Sequence, residues 1–339
     1  MKNSKFFGLF LLPLLFFACG KPEVKKWDRE QFVFGTYIVI TVYDADKKLA
    51  ESAMDAAFAE MVRVDRTFNS KTEGSLTDTL NRKPNSPGSP KEVPLDAEGE
   101  ALFDRIRSAF LLSGGEYDVT LGPLMALWPF DRAGDADLRV PAAEEIARAR
   151  EKVDFSKVVF GEGRLRMDWP VEEIDTGSFL KGYALGKARD KMAEMGVKSA
   201  LLSSVSSIAT IGAKPGGAPW RIGVQDPGDP SGALGIVELN NRSMGVSGDY
   251  QTYVTIEGKR YHHILQKSTG YPAGDKKMVV VIAPDAFLAD VYSTCFFVMP
   301  VDKVLDFVYT NKYLDVLIVK SDGSIAVSEN FDLMNTKKP

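Results

Sequence analysis

The spacing of apolar and polar residues predicts a strand near the start of the chain and a helix directly after it. Residues 32–43, FVFGTYIVITVY, are rich in β-branched and aromatic side chains and predict a single strand. Gly35 would mark a bulge or a close backbone approach within that strand. In residues 49–68 the apolar positions recur at helical spacing, and the polar, glycine-containing residues 69–74 end the pattern.

The middle of the chain alternates turn-rich stretches with amphipathic ones. Residues 81–96, rich in Pro, Ser and Asn, predict a surface loop. Three further helices are expected: one capped by Asp96 and ended by Gly114 and Gly115, one over residues 141–152 with Pro141 in its first turn, and one capped by Ser178 and closed by Gly196.

The second half of the chain predicts strands joined by turns. A hairpin across Glu257 and Gly258 carries the two histidines of the sequence, His262 and His263. A buried strand over residues 277–283, a helix over 284–299 and a last hairpin over 314–328 follow. Because strands outnumber helices and many are hairpin-linked, the pattern favours an α+β fold over a doubly wound parallel sheet.

Composition narrows the class of protein. The chain of 339 residues is 45% apolar and 26% charged, as expected for a globular protein with a sizeable core. Its formal net charge is -4, and no stripe of Lys and Arg is concentrated in the sequence. Nucleic acid is therefore not expected as a partner, because a positive field is needed to hold a polyanion.

The first residues have the layout of a signal peptide. Lys2 and Lys5 precede an apolar run over residues 6–18, and Cys19 follows at once. A transmembrane anchor is the alternative, but it needs roughly 20 apolar residues. We expect a signal peptide over residues 1–18, a lipidated Cys19 with a tether over 19–27, and one domain over 28–339. Cys295 would then be the only other cysteine, which excludes an intramolecular disulfide in the mature chain.

Two stretches suggest binding sites for an anion and a metal ion. In IDTGSFLKG, Asp175 and Gly177 precede a helix start with Lys181 in its first turns, which predicts an anion site or a plain capped helix. In LADVYSTCF, Asp290 and Thr294 lie one helical turn apart and offer hard oxygens that suit Mg²⁺. A solvated Asp290 is the alternative, but the apolar neighbours make an unpaired carboxylate costly there.

Two other stretches carry weaker signals. Residues 115–130, GEYDVTLGPLMALWPF, predict either a rim for a flat ligand or ordinary core packing. The adjacent His262 and His263 point to opposite faces if they lie on a strand, so at most one is expected to face a cleft. Histidine is the side chain best suited to move a proton near neutral pH.

Six blocks in this order resemble the bacterial ApbE family of FAD:protein FMN transferases. They are FGTYI, YDVTLGPL, IDTGSFLKGY, VSGDY, HHILQKSTGYP and ADVYST. The resemblance implies a two-lobed α+β fold with mixed or antiparallel sheets and flanking helices, its active site in the cleft between the lobes. It also implies Mg²⁺-dependent transfer of FMN from FAD to a Thr or Ser hydroxyl of an acceptor protein, with release of AMP.

The resemblance also assigns residues to roles. His263 is the expected catalytic acid or base, and His262 falls on a position that varies. The expected metal ligands are Ser178 through its carbonyl, Asp290, Ser293 and Thr294. The expected FAD contacts are Phe34, Glu116, Tyr117, Asp118, Asp175, Lys181 and Ile264. Family members with a lipid anchor would lie on the periplasmic side of the inner membrane, here anchored through Cys19.

This chain departs from the family pattern at several positions. Phe34 replaces a Met, Lys71 an aromatic residue, and Gln266 with Lys267 an Asp-Pro pair, while residues 201–212 lack a usual Gly-Gly. Two other functions therefore stay open. One is a Mg²⁺-dependent FAD diphosphatase that uses water as the acceptor, and the other is a lipid-anchored protein that binds flavin without catalysis.

Overall fold

A computed structural model describes residues 23–130 and 138–334. The predicted signal peptide and residues 19–22 of the predicted tether, including Cys19, lie outside the described residues. No helix within the described ranges is long and apolar enough to cross a membrane.

The main sheet has eight strands, and each strand pairs antiparallel with its neighbours. In spatial order they are β1 (Lys25–Val33), β2 (Thr36–Asp44), β6 (Ala200–Ser203), β7 (Ser207–Ile211), β10 (Ser243–Gly248), β13 (Lys276–Ala283), β14 (Asp315–Lys320) and β15 (Ile325–Val327). The prediction of an α+β fold with hairpin-linked strands is confirmed.

Smaller sheets flank the main one. They are β3 (Lys91–Pro94), β5 (Arg164–Met167) and β4 (Val158–Gly161) in that order, the hairpin of β8 (Trp220–Asp226) and β9 (Asp229–Leu239), and the hairpin of β11 (Tyr253–Ile256) and β12 (Lys259–His262). β3 lies inside the stretch that the sequence predicts as a surface loop, so that prediction is wrong over its last residues. Its Lys91 is buried and donates to the carbonyls of Asn81 and Glu172.

The predicted single strand over residues 32–43 is in fact the tip of a hairpin. Phe34 and Gly35 have φ of 55° and 71° and join β1 to β2. Two-residue hairpin turns favour positive φ because it matches the twist of the strands. A bulky residue rarely adopts positive φ, so the β-rich sequence around Phe34 concealed the turn.

Eight α-helices occur in the described residues. They are α1 (Lys47–Phe68), α2 (Leu76–Arg82), α3 (Ala97–Leu112), α4 (Gly122–Met125), α5 (Ala143–Arg150), α6 (Leu180–Glu194), α7 (Ala286–Val298) and α8 (Val301–Thr310). Asp96 caps α3 through Gly99 N–H, as predicted. Two helix starts differ from prediction, because Pro141 precedes the cap residue of α5 and Ser178 precedes that of α6.

The two faces of the main sheet are covered by different elements. α1, α6 and α7 pack together over one face and form the largest apolar core with it. The hairpin of β8 and β9 covers the other face, where Trp220 and Val237 belong to a second apolar cluster. A third cluster joins α4 and α5 to Leu265 in the loop after β12. This last contact fixes the segment that carries the histidines.

Candidate functional site

The contact between α6 and α7 places Asp290 at the centre of the candidate site. A Cβ atom at Gly182 would lie 2.3 Å from the Asp290 Cβ and 2.4 Å from the Ala286 carbonyl oxygen. Only glycine therefore allows the two helices to approach so closely. The approach lets the Gly182 N–H donate to Asp290 Oδ2 at 2.8 Å.

A second glycine brings α7 against the sheet. A Cβ atom at Gly245 of β10 would lie 2.2 Å from the Ala289 carbonyl oxygen. The close packing sets Asp290 and Ser293 directly over the ends of β7 and β10. Both glycines therefore allow the close packing that positions the Asp290 carboxylate.

The Asp290 carboxylate is buried, and its hydrogen-bond donors among the described residues are uncharged. Its side chain accepts hydrogen bonds from Gly182 N–H and from Ser207 Oγ, the latter at 2.9 Å on Oδ1. No lysine or arginine in the described ranges forms an ion pair with it. Burial raises its pKa, and the nearby positive charge of Lys181 opposes that rise. A bound cation would relieve this cost.

Three hydroxyl groups lie together where α7 meets β10. Ser247 Oγ lies 2.8 Å from Ser293 Oγ and 3.0 Å from Thr294 Oγ1. Ser293 Oγ also donates to the Asp290 carbonyl at 2.8 Å. The sequence analysis missed Ser207 and Ser247, although Ser247 is in the VSGDY block, because neither is close to Asp290 in the chain.

The start of α6 leaves the Ser178 carbonyl oxygen out of the helix. Gly182 N–H, which in a regular helix would bond to that carbonyl, bonds to Asp290 instead. The Ser178 side chain is also not the helix cap that the sequence predicts. Its Oγ lies 3.0 Å from the hydroxyl of Tyr117, and α6 has no side-chain cap.

These oxygens suit a hard divalent cation. Asp290 would supply one carboxylate, Ser293 and Thr294 would supply hydroxyls, and the Ser178 carbonyl would be a further oxygen donor. Mg²⁺ is bound by few protein carboxylates and keeps several waters, so one carboxylate is compatible with it. Across residues 23–130 and 138–334 no group of three or more His, Cys, Asp or Glu residues is placed to hold a metal ion.

The two histidines have different surroundings. His262 is buried: its Nε2 bonds to the Ala273 carbonyl at 2.7 Å and its Nδ1 accepts from Ile264 N–H at 3.3 Å. Its ring also packs edge-on against Phe297, with ring centroids 5.6 Å apart. Both nitrogens of His262 are therefore used by the fold.

His263 is half-buried and keeps one nitrogen free. Its backbone N–H and its Nδ1 both bond to the Thr252 carbonyl, each at 3.1 Å. Because a carbonyl only accepts, Nδ1 carries the proton and Nε2 presents a lone pair. Nothing in the described part of the chain hydrogen-bonds to Nε2. Burial lowers the pKa of His263 to about 4, so the ring is neutral near pH 7.

Lys181, Asp175 and His263 form one electrostatic group. The charge on Lys181 lowers the pKa of His263 and the charge on Asp175 raises it. Asp175 Oδ1 accepts from Gly177 N–H at 2.6 Å. The Lys181 ammonium has no hydrogen bond or ion pair to any residue that the structure describes, so it is free to meet an anion.

The other predicted FAD contacts are less uniform. The buried Tyr117 lies next to Ser178, and burial raises its pKa. Glu116 accepts from Ser268 N–H at 3.2 Å. Ile264 is buried beside the histidines, whereas Phe34 lies at the β1–β2 turn. Within the described ranges, no hydrogen bond or ring contact joins Phe34 to the other predicted FAD contacts.

The Asp118 carboxylate already accepts four hydrogen bonds from the protein. Its Oδ1 accepts from the N–H and hydroxyl of Thr120 at 2.8 and 2.6 Å. Its Oδ2 accepts from Phe155 N–H at 3.0 Å and from Lys267 Nζ at 2.7 Å. A carboxylate has about four lone-pair sites. The predicted direct contact of Asp118 with FAD therefore finds no free acceptor in this structure.

Known proteins resemble this chain over nearly all of its length. Residues 34–318 match the model of the ApbE family. An FAD:protein FMN transferase of Klebsiella pneumoniae is 28% identical over 295 residues, which cover 84% of this chain and 82% of that protein. The FAD:protein FMN transferase of Treponema pallidum is 26% identical over 330 residues, which cover 91% and 88%.

Solved structures show the same fold. The crystal structure of the ApbE protein from Thermotoga maritima matches with a TM-score of 0.80 at 33% identity and covers 91% of this chain and 98% of that one. The apo form of the flavinyl transferase ApbE from Pseudomonas stutzeri matches with a TM-score of 0.76 at 26% identity and covers 91% and 95%.

Proposed function

The chain belongs to the ApbE family, and we propose that it transfers FMN from FAD to a Ser or Thr hydroxyl of an acceptor protein, with release of AMP and dependence on Mg²⁺. The observation that carries the proposal is the Asp290 carboxylate. It is buried without an ion pair in the described residues and lies on the same helix as the Ser293 and Thr294 hydroxyls, both of which contact Ser247 Oγ.

The metal would be held by Asp290, Ser293, Thr294 and the Ser178 carbonyl. When bound, Mg²⁺ supplies positive charge to phosphoryl oxygens as the pyrophosphate bond breaks. Lys181, which has no counter-ion among the described residues, binds and orients the same oxygens at the start of α6. Positioning and charge are therefore the main contributions of these residues.

His263 removes a proton from the acceptor. The hydroxyl oxygen attacks the phosphorus of the FMN half, the bond from that phosphorus to the bridging oxygen breaks, and AMP leaves with the bond's electron pair. The hydroxyl proton moves to Nε2, because Nδ1–H is held by the Thr252 carbonyl. A neutral imidazole accepts a proton and cannot donate one from Nε2, so the surroundings of His263 favour a base over an acid.

The site of action is proposed to be the periplasmic side of the inner membrane. The signal-peptide layout of residues 1–18 and the following Cys19 support a lipid anchor. Labelling cells with a radioactive fatty acid should mark the wild-type chain and leave the Cys19→Ala variant unlabelled. Equal labelling of both chains would contradict the anchor.

The decisive experiment uses purified protein, FAD and Mg²⁺ with and without a protein that carries a flavinylation motif. Transfer predicts AMP release together with flavin fluorescence that stays with the acceptor after denaturation. AMP and FMN in solution without labelled acceptor would indicate a diphosphatase. FAD that binds and stays intact would indicate a flavin-binding protein.

A further inference from the structure

The loop after His263 is held by a buried ion pair that the reaction chemistry does not use. Lys267 Nζ lies 2.7 Å from Asp118 Oδ2, with side chains 23% and 0% exposed. The Lys267 ammonium also lies over the Phe110 ring, 5.3 Å from its centroid. Phe110 packs on Phe155, whose N–H donates to the same Asp118 oxygen. The lysine therefore packs on an aromatic pair, one member of which also binds Asp118.

The same loop is fixed to the protein at three other points. Ser268 N–H donates to Glu116, and the Trp128 indole donates to the Gly270 carbonyl at 3.0 Å. Arg150 Nε donates to the Lys267 carbonyl at 3.0 Å. The loop also closes on itself, since Gln266 N–H donates to the Tyr271 carbonyl at 2.8 Å. Its position depends on the segment around Asp118 and on α5.

A short ladder connects this loop to His263. Above the Gln266 contact, Leu265 pairs with Pro272, and the Ala273 N–H donates to the Ile264 carbonyl at 3.0 Å. His263 directly precedes Ile264 in the chain. A shift of the loop is therefore transmitted through two paired residues to the imidazole, whose other support is the Thr252 carbonyl.

We propose that Lys267 and Asp118 form a positioning pair that sets the imidazole of His263 for the transfer reaction, without either side chain touching FAD. This inference rests on the proposed function for its kinetic consequence only. Asp118 has no free acceptor for a ligand, and the Lys267 ammonium is turned towards Asp118 and Phe110. The pair acts through the loop that it holds.

The kinetic test compares Lys267→Met with Lys267→Arg. Lys267→Met should lower kcat roughly 10²-fold, the cost of a misplacement of about 1 Å, with the Kd for FAD unchanged. Lys267→Arg keeps the charge and the donor and should restore most of kcat. A matched control is Arg242→Met, which breaks the ion pair of Arg242 with the buried Asp315 and should leave kcat unchanged at temperatures where it is folded.

Three results would overturn the inference. They are a wild-type kcat in Lys267→Met, a lower affinity for FAD that accounts for the whole loss, and an equal loss of kcat in Arg242→Met at matched stability. If Lys267→Met is too unstable to assay, the double variant Asp118→Asn with Lys267→Met removes both charges and should show the same low kcat. Wild-type kcat in that double variant would also overturn it.

A second readout does not depend on activity. The chain contains two histidines, so ¹⁵N-histidine NMR resolves both rings. Wild type should show one protonated Nδ1 and one protonated Nε2, for His263 and His262. Lys267→Met should change the tautomer signals of His263, and those of His262 should shift as well because its ring bonds to Ala273 and Ile264 of the same ladder. Unchanged His263 signals would overturn the inference, even if the wild-type protein proved unable to transfer FMN.

Discussion

Asp118 and Asp290 are both buried aspartates, yet their surroundings are opposite. Asp118 accepts four hydrogen bonds, and one of them comes from the Lys267 ammonium. Asp290 accepts two, from Gly182 N–H and Ser207 Oγ, and has no ion pair with a described residue. The fold therefore provides a counter-charge for Asp118, whereas no described residue forms an ion pair with Asp290.

The difference separates a carboxylate that holds the fold together from one that is proposed to bind a metal ion. A buried charge that is paired and fully hydrogen-bonded stabilises its surroundings only if both partners remain. A buried charge without a partner costs free energy until a cation arrives. Burial alone does not reveal a functional aspartate, whereas the number of unused lone pairs does.

The largest expected effect comes from removing the Asp290 carboxylate, which has no ion pair with a described residue. Asp290→Ala should lower Mg²⁺-dependent AMP release by roughly 10³-fold or more, because a metal contributes several kcal/mol to stabilising the transition state. AMP release by wild type in excess EDTA should fall to the same level. Undiminished release in the variant, or full wild-type activity in EDTA, would remove the metal assignment.

The next largest effect is expected from the two histidines, whose substitutions should lower FMN transfer by different amounts. His263→Ala should lower FMN transfer by roughly 10²–10⁴-fold, the usual contribution of a positioned base, with little change in FAD binding. His262→Ala should affect transfer much less and mainly lower the Tm, since it leaves the Ala273 carbonyl unpaired. Equal, mild losses of transfer from the two substitutions would contradict a catalytic His263.

Neutralising each aspartate should change stability in opposite directions. Asp118→Asn leaves Lys267 without its partner and should cost about 3–5 kcal/mol of unfolding free energy. Asp290→Asn should raise the Tm of the metal-free protein, because an amide can satisfy both Gly182 N–H and Ser207 Oγ without a buried charge. Urea unfolding without metal measures both changes, and a destabilised Asp290→Asn would contradict the comparison.

Two glycines on α6 allow a test of the close helix contact. Gly182→Ala places a Cβ 2.3 Å from that of Asp290 and should cost about 1–3 kcal/mol and weaken metal binding. Gly186→Ala is the matched control on the same helix, where a Cβ meets nothing within 4 Å. It should be neutral or stabilising by roughly 0.5–1 kcal/mol. Equal effects at the two positions would show that the contact at Gly182 has no special role.

The smallest expected effect is on pH dependence. The base must be neutral, so kcat/KM falls where His263 becomes protonated, near pH 4 instead of the ordinary value near 6.5. Stability has the same sign: the unfolded state binds more protons between these pH values, so stability falls as pH drops from about 6.5 towards 4. His263→Ala should reduce that slope in unfolding experiments, and an acid limb near 6.5 would contradict the lowered pKa.

Local pattern identified most elements because their signals lie within a few residues. The helical spacing of residues 49–68, the cap at Asp96 and the hairpin at Glu257 and Gly258 were each confirmed. The β1–β2 turn was missed because Phe34 adopts a positive φ that its side chain disfavours. Helix α2 and strand β3 were missed because both are short and lie next to turn-rich residues.

The candidate site shows the same division. The sequence by itself determined that Asp290 and Thr294 share a helix face and that His262 and His263 differ in their surroundings, because both follow from the geometry of one element. Only the tertiary structure decided that Ser207 and Gly182 donate hydrogen bonds to Asp290 and that Lys267 forms an ion pair with Asp118. These contacts join distant residues, and which lone pairs stay free depends on how the elements pack.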